Sequence, residues 1–223
     1  GMSELETLGR WLSESNGAVF FGGAGVSTES GIPDFRSVDG LYNQSYTYPP
    51  ETIISHSFFQ QDPEEFYRFY KEKMLCLDAR PNAAHRKLAQ LEREGKLVAV
   101  VTQNIDGLHQ AAGSERVYEL HGSVHRNYCM KCHKFFDGGH IKAAKELPLC
   151  DVCGGLIKPD VVLYEEPLDA AVMEGAIAAI SQADLLMVGG TSLAVYPAAG
   201  LLQYYRGDRL VLINKTPTPY DSR

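Results

Sequence analysis

Ala18-Val19-Phe20-Phe21-Gly22-Gly23-Ala24-Gly25-Val26-Ser27 is the stretch from which the rest of the chain is read. Its first four residues are apolar, favour β structure and run without a polar break, as a short strand covered on both faces must. Glycine follows at once. It lets the backbone turn sharply and approach a pyrophosphate, whose charge the next helix N-terminus would stabilise. The spacing is not the complete G-x-G-x-x-G pattern, so the same residues also suit a turn that binds nothing.

Working outward, similar apolar runs recur at Leu97 to Val101, Leu185 to Val188 and Leu210 to Ile213. Between them Pro63 to Leu75 and Ala83 to Glu94 carry apolar residues at helical spacing, and Asp169 to Ile180 places Val172, Ala176 and Ile180 on one helix face. The alternation predicts an α/β fold with a Rossmann-like, doubly wound parallel sheet. Two segments break the rhythm. Ser37 to Pro50, rich in Gly, Tyr, Asn and Pro, predicts a long surface loop. Tyr128 to Ile157 holds four cysteines and little else that could build a core, which predicts an inserted module. The expected division is therefore 2–127 with 158–223 as the dinucleotide-type domain, and 128–157 as a zinc ribbon. No repeat or low-complexity tract is present, and Gly1 ahead of Met2 reads as a cloning remnant.

Composition narrows the function classes. The chain has 223 residues, 44% hydrophobic and 22% charged, with a formal net charge of −7. That suits a folded globular protein and argues against a nucleic-acid surface. No run of about 18 apolar residues and no basic-then-apolar leader occurs, so neither a membrane span nor export is expected, and the predicted location is cytoplasmic. In that compartment five cysteines point to metal or chemistry before disulfides. Cys129-x-x-Cys132 and Cys150-x-x-Cys153 flank the 17 residues from 133 to 149, the separation of two knuckles closing a tetrahedral four-thiolate site. Four sulfurs leave no open position, so the expected metal is one structural zinc; an iron–sulfur cluster is the alternative. Cys76, in an apolar patch, reads as a structural thiol.

Beyond the glycine turn, Gly31-Ile32-Pro33-Asp34-Phe35-Arg36 sets an aromatic ring and an arginine where they could cover a nicotinamide ring and touch phosphate or ribose; a capped loop is the plain alternative. Three more segments follow: Thr102-Gln103-Asn104-Ile105-Asp106-Gly107-Leu108-His109, Glu119-Leu120-His121-Gly122-Ser123 and Gly190-Thr191-Ser192-Leu193. With the glycine turn and the cysteines, in this order and over almost the whole chain, they resemble the sirtuins, most of all the short bacterial members.

The resemblance implies an NAD-dependent protein-lysine deacetylase. In that family the acyl-lysine amide oxygen attacks the nicotinamide-bearing ribose carbon, nicotinamide leaves, and the acyl group ends on ADP-ribose as O-acetyl-ADP-ribose. An amide oxygen is a poor nucleophile, so the reaction depends on positioning and on the leaving group. His121 matches the family's general base, a task suited to an imidazole with its ordinary pKa near 6.5. Asn104 would orient ribose and a water, Asp106 and the Ile105 backbone would grip the nicotinamide carboxamide, and Phe35 would shield the reacting centre. Ala24, Thr28, Arg36 and Gln103 fall on cofactor-contact positions, Thr191 and Ser192 on the phosphate and ribose end, and Asn214 near the adenosine ribose. The peptide would enter as an added strand between Asp160-Val161-Val162 and the segment around Tyr196.

Taken singly, each residue has a plainer reading: His121 a loop histidine, Asp106 a helix cap, and His109, His125, His133 and His140 surface or supporting residues. Two departures from the family pattern stand out. Tyr164-Glu165-Glu166 replaces Phe-Gly-Glu, which alters the peptide wall and favours basic flanking residues. Tyr70 followed by Lys73, in place of Tyr-x-x-Arg, offers no two-pronged grip on an acidic acyl group, so neutral acyl groups are expected. Relatives also continue past Arg223 for about one strand and one helix, without which the adenine pocket would be incomplete and a sheet edge exposed. The expected partner is an acetyl-lysine-bearing protein or peptide, met by a monomer. Mono-ADP-ribosyl transfer to protein and a non-catalytic NAD or ADP-ribose sensor are the rival functions.

Overall fold

Residues 18–22 fold as the glycine-turn reading predicts. The structure, a computed structural model, describes residues 3–33, 46–191 and 198–213. In chain order the main elements are α1 (Glu4–Glu14), β1 (Ala18–Gly22), α2 (Pro50–Ile53), α3 (His56–Gln61), α4 (Pro63–Phe69) with a π turn at Tyr70–Met74, α5 (Ala83–Arg93) and β2 (Leu97–Thr102). There follow α6 (Leu108–Ala111), β3 (Val117–Glu119), β4 (Gly122–Cys129), β5 (Phe135–Phe136), α7 (Gly138–Ala143), β6 (Ile157–Val161), α8 (Ala170–Gln182), β7 (Leu185–Gly189), α9 (Ala198–Leu202) and β8 (Leu210–Ile213).

β1 is buried at every residue and pairs in parallel with β2 on one side and β7 on the other. The sheet order is β3-β2-β1-β7-β8, all parallel, so the winding reverses at β1. The apolar run splits by the two-residue period of a strand. Val19 and Phe21, with Ala99, Val101 and Val188, face Ala176 and Ile180 of α8. Ala18 and Phe20, with Val100 and Met187, face Leu88 and Leu91 of α5 and Leu8, Trp11 and Leu12 of α1. Side-chain caps start these helices: Ser3 in a capping box with Glu6, Asn82 likewise with His85, and Asp169 bonding the Val172 amide. Among the described residues no helix is long and apolar enough to cross a membrane.

A second, antiparallel sheet runs β5-β4-β6. Sequence alone bounded the cysteine module at 128–157 and found little core in it. The structure supplies that core by sharing: Phe136, Ile141 and Ile157 pack with Phe59, Phe66, Tyr67 and Phe69 of α3 and α4. The Tyr67 hydroxyl donates to the Ile157 carbonyl. Tyr46, placed by sequence in a surface loop, is buried in the same aromatic cluster, packed edge-on against Phe69. Residues 37–45 of that loop lie outside the described residues.

One of the connections between the two sheets is a strap of two residues, Leu120 and His121, between the end of β3 and the start of β4. Gly122 turns it with φ of 81°, and a Cβ there would collide with the Asp160 carbonyl across the β4–β6 pair. Only glycine satisfies both conditions. Arg126 braces the junction, bonding Glu119 at 2.7 Å and Asp160 at 3.0 Å.

Candidate active site

The carboxyl ends of β1 and β7 flank the point where the sheet order reverses, the place at which an open α/β sheet leaves a crevice. The loops there touch backbone to backbone. The Gly25 amide donates to the Gly190 carbonyl at 2.8 Å, and a Cβ on Gly25 would stand 2.7 Å from the Gly190 Cα. Without side chains in the way, the two loops form a cradle whose backbone can approach a ligand closely.

One cavity extends from this cradle to the antiparallel sheet. Ala24, Thr28, Gln103, Asn104, Ile105, Asp106, His121 and Thr191 all line it. Candidate residues from four separate sequence segments therefore meet in a single space. Phe35, Arg36, Ser192 and Asn214, and Tyr196 on the expected peptide wall, lie outside the described residues.

Hydrogen bonds define the protonation pattern around this space. His121 Nδ1 lies 3.0 Å from the Gln103 carbonyl, which can only accept, so Nδ1 bears the proton and Nε2 the lone pair. Asn104 is fixed in the same way. Its Nδ2 donates to the Gly23 carbonyl at 2.9 Å and to Ser27 Oγ at 3.3 Å, which identifies the nitrogen and leaves Oδ1 as its acceptor. Asp106, just ahead of the Gly107 cap of the short helix α6, accepts from the Leu108 amide through Oδ1, and its Oδ2 accepts from the Ser27 hydroxyl at 2.6 Å. Asp106 thus steadies the start of α6 from one position before its cap, and it also lies on the cavity wall.

Two residues of this network had no role in the sequence reading. Ser27, 1% exposed, bonds Asp106, Asn104 and His85 Nε2, the last at 3.2 Å. His85 is fully buried, and its Nδ1 accepts from the Asn82 amide, so Nε2 carries the proton toward Ser27. The signals were present, since Ser27 closes the glycine run and Asn82-x-x-His85 has capping-box spacing. Spacing does not reveal that a cap residue also reaches another loop.

Of the two readings that sequence left open for His109, surface or supporting residue, the structure rules out the surface. It is 1% exposed, its ring 4.9 Å from that of His85 and 6.5 Å from that of Phe20. Burial, then the neighbouring His85, pushes its pKa down to about 3, and burial also lowers that of His85. Unfolded, both imidazoles bind a proton near pH 6.5. The stability tied to these neutral forms is complete above that pH and is lost as pH falls below it, for His109 down to about 3, at up to about 1.4 kcal/mol per pH unit. Urea unfolding between pH 7 and 5 should show this loss, reduced in His109→Phe; the same loss in both proteins would refute the assignment.

The four paired cysteines form a second centre. Their sulfurs all lie within 4.8 Å of one another, with Cys129 and Cys153 Sγ atoms 3.3 Å apart and those of Cys132 and Cys150 3.6 Å apart. Disulfides require about 2.05 Å. Tetrahedral zinc with bonds of about 2.3 Å separates its sulfurs by about 3.8 Å, close to what is seen, whereas a cluster of several irons needs them further apart. Backbone amides complete both knuckles: those of Lys131 and Cys132 point at Cys129 Sγ, and that of Val152 at Cys150 Sγ. The Cys132 amide, with that of Lys131, holds the Cys129 thiol down at about 6 against the opposing effect of burial. The four thiolates fit one structural zinc.

The cavity also has the features a dinucleotide requires. Gln103 Oε1 accepts from the Thr191 hydroxyl at 2.9 Å, while its buried Nε2 has no partner among the described residues, a donor awaiting an acceptor. Beside it lies the glycine cradle.

Comparison with known proteins agrees with this geometry. The model of the Sir2 family matches residues 23–197. Proteins named NAD-dependent protein deacetylase from Clostridium perfringens and Clostridium acetobutylicum are 60% and 58% identical to this chain, each match covering 99% of it and 91% of the relative. A solved Sir2 structure described with a p53 peptide and NAD+ is 42% identical, with a TM-score of 0.80 over 99% of this chain and 90% of that one. A further Sir2 enzyme structure reaches a TM-score of 0.85 at 42% identity, covering 100% of this chain and 89% of its own.

Proposed function

This chain belongs to the Sir2 family, and on that premise we propose how its cavity works as an NAD-dependent protein deacetylase. The enzyme acts on acetyl-lysine in a protein or peptide. NAD and water are consumed, and nicotinamide, O-acetyl-ADP-ribose and free lysine are formed. NAD supplies an activated carbon–nitrogen bond to nicotinamide, so this chain needs no strong nucleophile of its own. Its residues position, exclude water and move one proton.

The observation that carries this reading is the meeting of His121, Asn104, Asp106 and the glycine cradle in one cavity. His121 Nε2 is the base for a ribose hydroxyl, and its orientation comes from the Gln103 carbonyl. Asn104 Oδ1 orients ribose and a water, its amide end being held by Gly23 and Ser27. Asp106, fixed by Ser27 and the Leu108 amide, presents its remaining lone pairs to the nicotinamide carboxamide together with the Ile105 backbone. Gln103 Nε2 gives a hydrogen bond to ribose or phosphate, and Ala24, Thr28 and Thr191 line the same path. Phe35, Arg36, Ser192 and Asn214 complete the cofactor contacts. Cys129, Cys132, Cys150 and Cys153 hold zinc away from the chemistry, with no open ligand position.

Tyr70, half of an acid-recognising pattern, is fully buried among Phe66 and Tyr67 and does not line the cavity, which favours neutral acyl groups. The proposed organisation is a dinucleotide domain of 2–127 and 158–223 carrying a zinc ribbon at 128–157, acting as a monomer in the cytoplasm. The test is direct. With NAD and an acetyl-lysine peptide, nicotinamide and deacetylated peptide should appear together in equal amounts. Label from NAD retained on the protein or peptide would instead indicate ADP-ribosyl transfer, and NAD binding without turnover a sensor.

A further inference from the structure

Glu165 has a backbone conformation that a side chain rarely adopts. Its φ is 76°, in the left-handed region, and among the described residues only His133 shares this without being glycine. Such a placement costs on the order of 1 kcal/mol, so something must hold it. Both carboxylate oxygens are engaged: one accepts from the Ser57 amide at 2.8 Å and the other from the Ser57 hydroxyl at 3.2 Å. The Ser57 amide lies in the first turn of α3, where donors lack helical partners. These bonds keep the Glu165 carboxyl below its ordinary range, Ser57 being the main cause, so it is ionised at neutral pH.

Its surroundings set it apart from the other acids of this wall. Glu166 meets Lys158 at 3.2 Å and His56 at 2.9 Å, and Asp160 meets Arg126 at 3.0 Å. Glu165 is exposed and lies in no ion pair among the described residues. It nonetheless lines the same cavity as His121, next to Val162, Leu163 and Tyr164, which continue the edge strand β6. A fixed negative charge, in no ion pair among the described residues, thus stands at the rim beside the strand edge along which a peptide would lie.

We propose that Glu165 is a specificity-determining residue that selects acyl-lysine sites flanked by arginine or lysine. The assignment rests on the deacetylase reading above. A side chain two residues from the acyl-lysine on the strand would share its face of the peptide, within reach of this rim. Because the carboxylate is already held by Ser57, pairing with a cation immobilises only the peptide's side chain. Rim charges act mainly on encounter and on salt dependence, so the effect belongs in KM more than in kcat.

The experiment compares acetyl-lysine peptides that differ only in flanking Arg, Ala or Glu. In the unaltered protein the Arg peptide should have a KM about fivefold below that of the Glu peptide, the upper range for an exposed pair, and the difference should shrink in 0.5 M salt. In Glu165→Gln the ratio should fall to about 1. Glu165→Gly, which suits the backbone angle, should give the same loss and guards against misfolding of the first variant. Undiminished preference in both variants, or equal KM values for all peptides in the unaltered protein, would overturn the proposal alone. No deacetylation of any peptide by the unaltered protein would instead overturn the reading on which it rests.

Discussion

His121→Ala lowers kcat for deacetylation about 10²- to 10⁴-fold while NAD still binds; that is the expected result, and its size is that of a removed general base. The strap holding this residue is short, and Gly122 and the Gln103 carbonyl orient it from opposite sides. Truncation deletes the proton acceptor without altering the cradle at Gly25 and Gly190 or the network of Ser27, Asn104 and Asp106. The loss should therefore fall on kcat, with NAD affinity, measured by calorimetry, within a few-fold of the starting value. His121→Gln should be equally slow, since an amide cannot take the proton. Turnover undiminished in the alanine variant would remove His121 from its role.

Removal of zinc is expected to unfold the ribbon and abolish activity. Structural zinc contributes an apparent binding free energy of about 10–16 kcal/mol in zinc-finger peptides at pH 7, comparable to or larger than the whole stability of a typical domain at about 5–15 kcal/mol. The ribbon also donates Phe136, Ile141 and Ile157 to the aromatic core around Phe59 and Tyr67. Loss of the ion should thus spread beyond the cysteines, exposing these side chains and the wall of the cavity at Val161 to Leu163. Chelation, or Cys129→Ser, should abolish deacetylation and lower Tm by more than 10 °C. The metal should titrate at one per chain. A chelated protein with unchanged Tm and activity would mean that the thiols are ornamental.

Much of this was legible beforehand because the signals were local. The run from Ala18 to Phe21 is apolar on both faces, and the strand is buried on both; Val172, Ala176 and Ile180 keep helical spacing, and α8 follows. The cysteine spacing predicted a closed site, and the sulfurs converge. What sequence could not supply was proximity between distant segments. Ser27 and His85 are 58 positions apart and meet only because α5 packs beside the glycine turn. His109 looked like any polar residue until Phe20 and His85 enclosed it. The core of the ribbon was invisible for the same reason, since most of it belongs to helices encoded some 80 residues earlier, as Tyr67 to Ile157 illustrates with a separation of 90. Glu165 was visible as a substitution, but its left-handed backbone and its hold on Ser57 were not.

The junction of Leu120 and His121 has a mechanical consequence. The imidazole is fastened on one side to the carbonyl following β2 and on the other to the start of β4. His121 therefore sits on a two-residue connection between the sheets, so a displacement of one sheet against the other would be felt directly at its ring.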